Sequence, residues 1–107
     1  LGHLESAAYR GQTVGEVLAN PEPVLGVLDA LRKIYRHRSK REKGPIQDVH
    51  RVLYVTFHAA TVVRHGVYNG KRDADETIKS WRSALRRDWL DPLLRSLIEE
   101  AIVRGID

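Results

Sequence analysis

The segment between Pro45 and Gly66 most constrains the fold, because two helix-breaking residues bound it and apolar residues cover most of its sides. These apolar residues are Val52, Leu53, Val55, Ala59, Ala60, Val62 and Val63. The valines lower helix propensity, but a segment of about twenty residues is too long for one strand and favours a helix. A helix that is apolar around most of its circumference belongs in the middle of a bundle.

A second long helix is predicted upstream, beginning at Asn20-Pro21-Glu22-Pro23, since proline is tolerated in the first helical turn. Its apolar residues recur at three- and four-residue steps, and they are Val24, Val27, Leu28, Leu31, Ile34 and Tyr35. At about 100° per residue these six fall within about 120° of arc, which predicts a core-facing stripe. A short helix opened by the capping box of Thr13 and Glu16 precedes it. The spacing of Leu1, Leu4 and Ala8 predicts the tail of a further helix.

Two more helices are predicted towards the end of the chain. The first is capped by Asp73 and Glu76, and its stripe consists of Ala74, Ile78, Trp81, Leu85 and Trp89. The second opens at Asp91-Pro92, and its stripe consists of Leu93, Leu94, Leu97, Ile98, Ala101 and Ile102. The predicted fold class is therefore all-α, a small antiparallel helical bundle of four to five helices. Residues 1–107 are expected to form a single helical domain. The missing initiator methionine indicates a fragment of a longer protein.

The composition argues against several classes of function. The chain has no cysteine, which excludes disulfides, thiolate metal sites and cysteine nucleophiles. No apolar run reaches the roughly 18 residues of a membrane helix, so no membrane partner and a cytoplasmic location are expected. Glycine-framed serines and phosphate-binding loops are absent too. We therefore expect no cofactor and favour a protein that binds over an enzyme.

Positive charge is concentrated between Arg32 and Lys43. Seven basic residues and Glu42 give these twelve residues a net charge of +6, whereas the whole chain carries +4. We expect the polyanion-binding side chains to be Arg32, Lys33, Arg36, His37, Lys40 and Lys43, with those on the helix lying opposite its apolar stripe. This strip predicts a regulatory or interaction domain that binds nucleic acid or an acidic protein surface, without base specificity. The alternative is a charged face that serves solubility.

A polar stripe on the third helix supports a second hypothesis, a ligand-binding or catalytic bundle. Its candidate residues are His50, Tyr54, His58, Arg64 and His65, which share about 120° of arc with Phe57, Thr61 and Tyr68. The stripe is either a polar seam in the core or the one side of the helix that faces solvent. The histidines are seven and eight residues apart, roughly 11 to 12 Å, which is too far for two of them to bind one ion. No metal site is therefore predicted.

A third hypothesis is a docking or oligomerisation module, with a second copy of the chain as its partner. It depends on Trp81 and Trp89, which are two helical turns apart. Both are expected to be core anchors. An exposed Trp89 beside Leu90 would instead favour a contact between protomers.

Overall fold

The computed structural model describes residues 13–66, 68 and 73–105. These residues form five helices: α1 Val14–Ala19, α2 Glu22–Arg41, α3 Pro45–His65, α4 Ala74–Leu85 and α5 Pro92–Gly105. They contain no strand, so the predicted all-α class and small helical bundle are confirmed. The helix expected over the first eight residues lies outside the described part of the chain. Within that part, every helix is too short or too polar to cross a membrane.

Local signals in the sequence set the helix ends. Gly44 and Gly66 flank α3 with φ angles of 83° and 78°, a region of backbone space that glycine enters without steric cost. The Thr13 hydroxyl accepts a hydrogen bond from the Glu16 amide at 3.2 Å, as the capping box predicts. Asp73 also caps its helix. Its side chain accepts a hydrogen bond from the Asp75 amide at 2.7 Å, whereas the predicted capping box pairs it with Glu76.

Helix α3 lies at the centre of the bundle, as its apolar circumference predicts, and packs against α2, α4 and α5. Its buried residues are Val52, Leu53, Thr56, Ala59, Ala60, Val62 and Val63. The core continues into the other helices through Val17, Val24, Leu25, Leu28, Trp81, Ala84, Leu94, Leu97, Ile98 and Ala101. Val55 is only partly buried, because it faces a groove between α3 and α4.

Contacts between helix ends indicate the directions of α2, α4 and α5 relative to α3. Arg64 near the end of α3 pairs with Glu22 at the start of α2, with 2.5 Å between Nε and Oε1. Arg87, just after α4, binds Asp48 in the first turn of α3. Arg104 at the end of α5 donates to the Val63 carbonyl at 3.1 Å. Helices α2 and α4 therefore run antiparallel to α3, and α5 runs parallel to it.

The end of the α2–α3 pair lies at the edge of the core, where Tyr35 and Val49 are partly buried against it. No residue from 32 to 51 is buried, and we call residues 32–46 of this segment the hairpin tip. Ile34, predicted to be part of the core-facing stripe, is 54% exposed, so that assignment was wrong. Ile34 lies at the edge of the apolar arc of α2, whereas its neighbour Tyr35 is partly buried and packs against the core.

The stripe predicted for α4 was wrong at both ends. Ala74 is exposed at the first turn. The helix ends at Leu85, and the Arg95 guanidinium donates to the carbonyls of Leu85 and Arg87 at this end. Trp89 therefore lies in the following turn and is 36% exposed, whereas Trp81 is a core anchor at 1%.

Candidate functional site

Three of the basic residues on α2 are engaged by carboxylates on the same helix or at its C-cap. Asp29 accepts from Arg32 at 2.7 Å and from Lys33 at 3.2 Å. Arg38 pairs with Glu42, with 2.8 Å between Nε and Oε2. Hydrogen bonds from Lys33 and Arg32 lower the pKa of Asp29 from its ordinary value, so this carboxylate stays ionised. The charge of these three cations is therefore partly neutralised within the helix.

The other predicted phosphate-binding residues of the hairpin tip remain free. Arg36, His37, Lys40 and Lys43 are exposed, and none of them forms an ion pair with the residues that the structure describes. Arg36 and Lys40 are four residues apart, which puts them on one face of α2. The available charge is therefore concentrated at the outer half of the predicted strip.

The sequence predicted that Arg32 lies on the exposed arc of α2 with the other cations, and this prediction was wrong. Arg32 is partly buried, and its guanidinium carbon lies 4.9 Å from the ring centroid of Tyr54 and 4.6 Å from that of Phe57. Both distances fall within the range of cation–π contacts. The long side chain reaches from the flank of α2 over the rings of α3, which a helical wheel does not predict.

His50 lies where α2 approaches the start of α3. Its ring meets Tyr54 edge-on with 5.0 Å between centroids. Its Nε2 is shielded from solvent and has no hydrogen-bond partner among the described residues. Burial lowers the pKa of His50 below 6.5, and the charges of Arg36 and Arg32 lower it further. His50 is therefore neutral at pH 7, and the field of Arg36 reaches the surface of α3.

The remaining residues of the polar stripe are dispersed along α3. His58 is partly buried against Trp81 and Tyr68, with 5.5 Å between ring centroids in each case. Arg64 and His65 are exposed at the far end of the helix, where Arg64 pairs with Glu22. The structure thus brings His50 and Tyr54 together but does not assemble all five candidates. No cluster of three potential metal ligands occurs within the described ranges.

Sequence reasoning missed a groove of about 780 Å³ between α3 and α4, which we call the α3–α4 groove. Its polar lining includes His50, Arg51, Tyr54, Lys79, Ser83 and Arg87. Arg51 and Lys79 are exposed and form no ion pair with any described residue, whereas Arg87 binds both oxygens of Asp48 at 2.6 and 2.9 Å. This bidentate pair lowers the pKa of Asp48 and fixes the end of the groove.

A smaller cavity of about 200 Å³, the inner recess, adjoins the α3–α4 groove and shares Tyr54, Val55 and Ser80 with it. Trp81, His58 and Thr77 complete its lining. The Trp81 indole Nε1 is buried and has no hydrogen-bond partner in the described part of the chain. Unsatisfied buried donors are rare in folded proteins, so this one requires an explanation.

The basic composition of α4 and its continuation was a partial signal for the groove, since Lys79 and Arg87 line it. Residues 77–87 contain four basic side chains and no acidic one. Lys79, Arg82 and Arg86 follow at three- and four-residue steps, which puts them on one face of α4 and its continuation.

No family model, curated protein or solved structure matches this chain. Function therefore has to be inferred from the residues and their geometry.

Proposed function

We propose that this domain binds nucleic acid through the hairpin tip, with Arg36, Lys40 and Lys43 contacting phosphates. One observation supports this most strongly: these cations are exposed and unpaired on a segment that contains no buried residue. Arg32, Lys33 and Arg38 on the same helix are engaged by carboxylates. The outer cations therefore serve neither the core nor an internal ion pair.

The chemistry of such a surface is electrostatic. Lysine and arginine displace counterions from the phosphate backbone, so affinity falls as salt rises, by about 0.9 log units per log unit for each phosphate neutralised on a duplex. The three contacts from Arg36, Lys40 and Lys43 predict a log–log slope of about −3. Phosphate contacts carry no sequence information, so affinity should vary little among sequences of equal length.

The test compares two double variants that change the same amount of charge. Arg36→Glu/Lys40→Glu alters the hairpin tip, whereas Arg82→Glu/Arg86→Glu alters exposed arginines at the same spacing on and just after α4. Fluorescence anisotropy with a labelled duplex at low salt measures affinity. We expect the first variant to bind at least about tenfold more weakly on every sequence, and the second to stay within about threefold.

Two results would contradict the proposal. If the parent fails to bind duplex at low salt, or if both variants lose affinity equally, the hairpin tip is not the binding surface. Polyglutamate that competes as strongly as nucleic acid at equal charge would identify an acidic protein surface as the partner instead.

A further inference from the structure

The α3–α4 groove combines three chemical features that the nucleic-acid proposal does not use. Its rim carries two free cations, Arg51 from α3 and Lys79 from α4. Its wall carries Tyr54, a residue that is 39% exposed and whose ring contacts Arg32 as well. The adjoining inner recess is lined by Trp81, whose buried Nε1 donor has no partner among the described residues. The volume of the groove falls in the range of small-molecule sites.

Each feature selects a different part of a ligand. Two exposed cations at the mouth of a groove favour a phosphate group. An exposed aromatic ring favours a flat, unsaturated ring that can stack on it. A buried indole N–H favours an acceptor atom, because the cost of leaving the donor unpaired is then removed.

We propose that the α3–α4 groove binds a phosphorylated nucleoside, either free or as one unit of a single strand. The base stacks on Tyr54 and extends to the inner recess, where a ring nitrogen or carbonyl accepts a hydrogen bond from Trp81 Nε1. The phosphate meets Arg51 and Lys79 at the rim. This site differs from the hairpin tip in both its residues and its ligand, since neither Tyr54 nor Trp81 belongs to the hairpin tip.

Simpler ligands fit the groove less well. Inorganic phosphate uses the two cations but neither the Tyr54 ring nor the Trp81 donor. An unphosphorylated nucleoside uses the ring and the donor but leaves the cations without a partner. The proposal therefore predicts that both halves of the ligand are needed together.

The first measurement is a titration of the ¹⁵N-labelled domain with four nucleoside monophosphates, followed by NMR. The chain has two tryptophans, so its indole N–H signals are readily assigned. We expect saturable binding of at least one nucleotide, with the Trp81 signal moving and the Trp89 signal serving as the internal control. Inorganic phosphate and the matching nucleoside should each bind at least about tenfold more weakly.

Variants of Tyr54 and Lys79 separate recognition from general charge. Tyr54→Ala should weaken nucleotide binding about tenfold or more, whereas Tyr54→Phe keeps the ring and should stay within about threefold. Lys79→Glu should weaken the nucleotide but not the nucleoside. Arg36→Glu/Lys40→Glu should leave nucleotide affinity within about threefold, because it alters only the hairpin tip.

Labelled single strands tell the two sources of the ligand apart. Saturable binding of free nucleotide identifies a nucleotide site, whereas Tyr54-dependent binding of a single strand alone identifies a unit of a strand. The inference is overturned if neither ligand moves the Trp81 signal, or if Tyr54→Ala and Tyr54→Phe behave alike. Duplex binding that depends on Arg36 and Lys40 would then still support the proposed function, so the two failures are distinguishable.

Discussion

The two halves of α2 differ in what they contribute to the protein. The first half buries Val24, Leu25 and Leu28, with exposed fractions of 0 to 7%. The second half, from Arg32 onwards, contains no buried residue and carries most of the basic strip. One continuous helix thus joins a segment that packs in the core to a segment that presents charge.

This difference separates folding from binding within a single element. Packing in the core orders the first half of α2, and the helix continues into a second half in which Tyr35 is only partly buried against the core. Arg32 lies at the boundary, since it pairs with Asp29 and also stacks over Tyr54 and Phe57. Changes before this boundary should affect stability, and changes after it should affect binding.

The largest expected effect contrasts Leu28→Ala with Ile34→Ala. Leu28 is fully buried, so its truncation should lower the free energy of unfolding by about 2 to 5 kcal/mol through lost burial and a residual cavity. Ile34 is 54% exposed, and its truncation should cost less than about 0.5 kcal/mol. Urea unfolding followed by circular dichroism measures both values. Equal losses would mean that Ile34 is covered by a partner, and the two halves would not differ.

A smaller effect is expected at the boundary itself. Arg32→Ala removes an ion pair and two ring contacts and should cost about 1 kcal/mol. Arg36→Ala, the matched control one turn further on, removes an unpaired exposed side chain and should stay within about 0.5 kcal/mol. The same urea experiment measures the free energy of unfolding of both variants. A destabilised Arg36→Ala would show that the hairpin tip contributes to folding.

Much of the fold could be predicted because its signals are local. Gly66 and Asp91 mark helix ends through their own backbone or side-chain chemistry, and the structure confirms both. The apolar circumference of α3 predicts a central position, since only a helix surrounded by others can bury so many sides. These inferences need no knowledge of what lies elsewhere in the chain.

The errors concern residues whose environment is set by distant parts of the chain. Whether Ile34 is covered depends on how far the neighbouring helices extend along α2. The carbonyls of Leu85 and Arg87 at the end of α4 accept hydrogen bonds from Arg95 of α5. The period of a helix predicts the direction in which each side chain projects from the helix axis. It does not predict on which sides of the helix another part of the chain packs.

The candidate sites were predictable to different degrees. The density of basic residues on α2 is visible in the sequence, but their pairing with Asp29 and Glu42 is a matter of geometry. The α3–α4 groove brings together Arg51 and Lys79, which are far apart in the chain. No spacing rule in the sequence relates two residues so far apart. Only the packing of α3 against α4 places both of them on the groove.

The smallest expected effect concerns the pKa of His50, which reports whether Arg36 is truly unpaired. Burial is the main cause of the lowered pKa of His50, and the charges of Arg36 and Arg32 lower this pKa further. NMR titration should therefore place the pKa of His50 below 6.5, and Arg36→Gln should raise it slightly. Lys40→Gln, the control, should leave it nearly unchanged. Because the folded value lies below the unfolded one, stability associated with His50 is present above pH 6.5 and decreases as the pH falls through the folded pKa.

The same titration connects the two halves of α2 to the proposed ligand. A phosphate held by Arg36 would cancel part of its positive field, so duplex nucleic acid should raise the pKa of His50 in the parent domain. In Arg36→Gln the duplex should raise it less, because the residue that links the ligand to His50 has been removed. If the duplex binds but leaves the pKa of His50 unchanged, the phosphates lie away from Arg36. The binding surface would then have to be sought outside the hairpin tip, with the basic face of α4 as the next place to test.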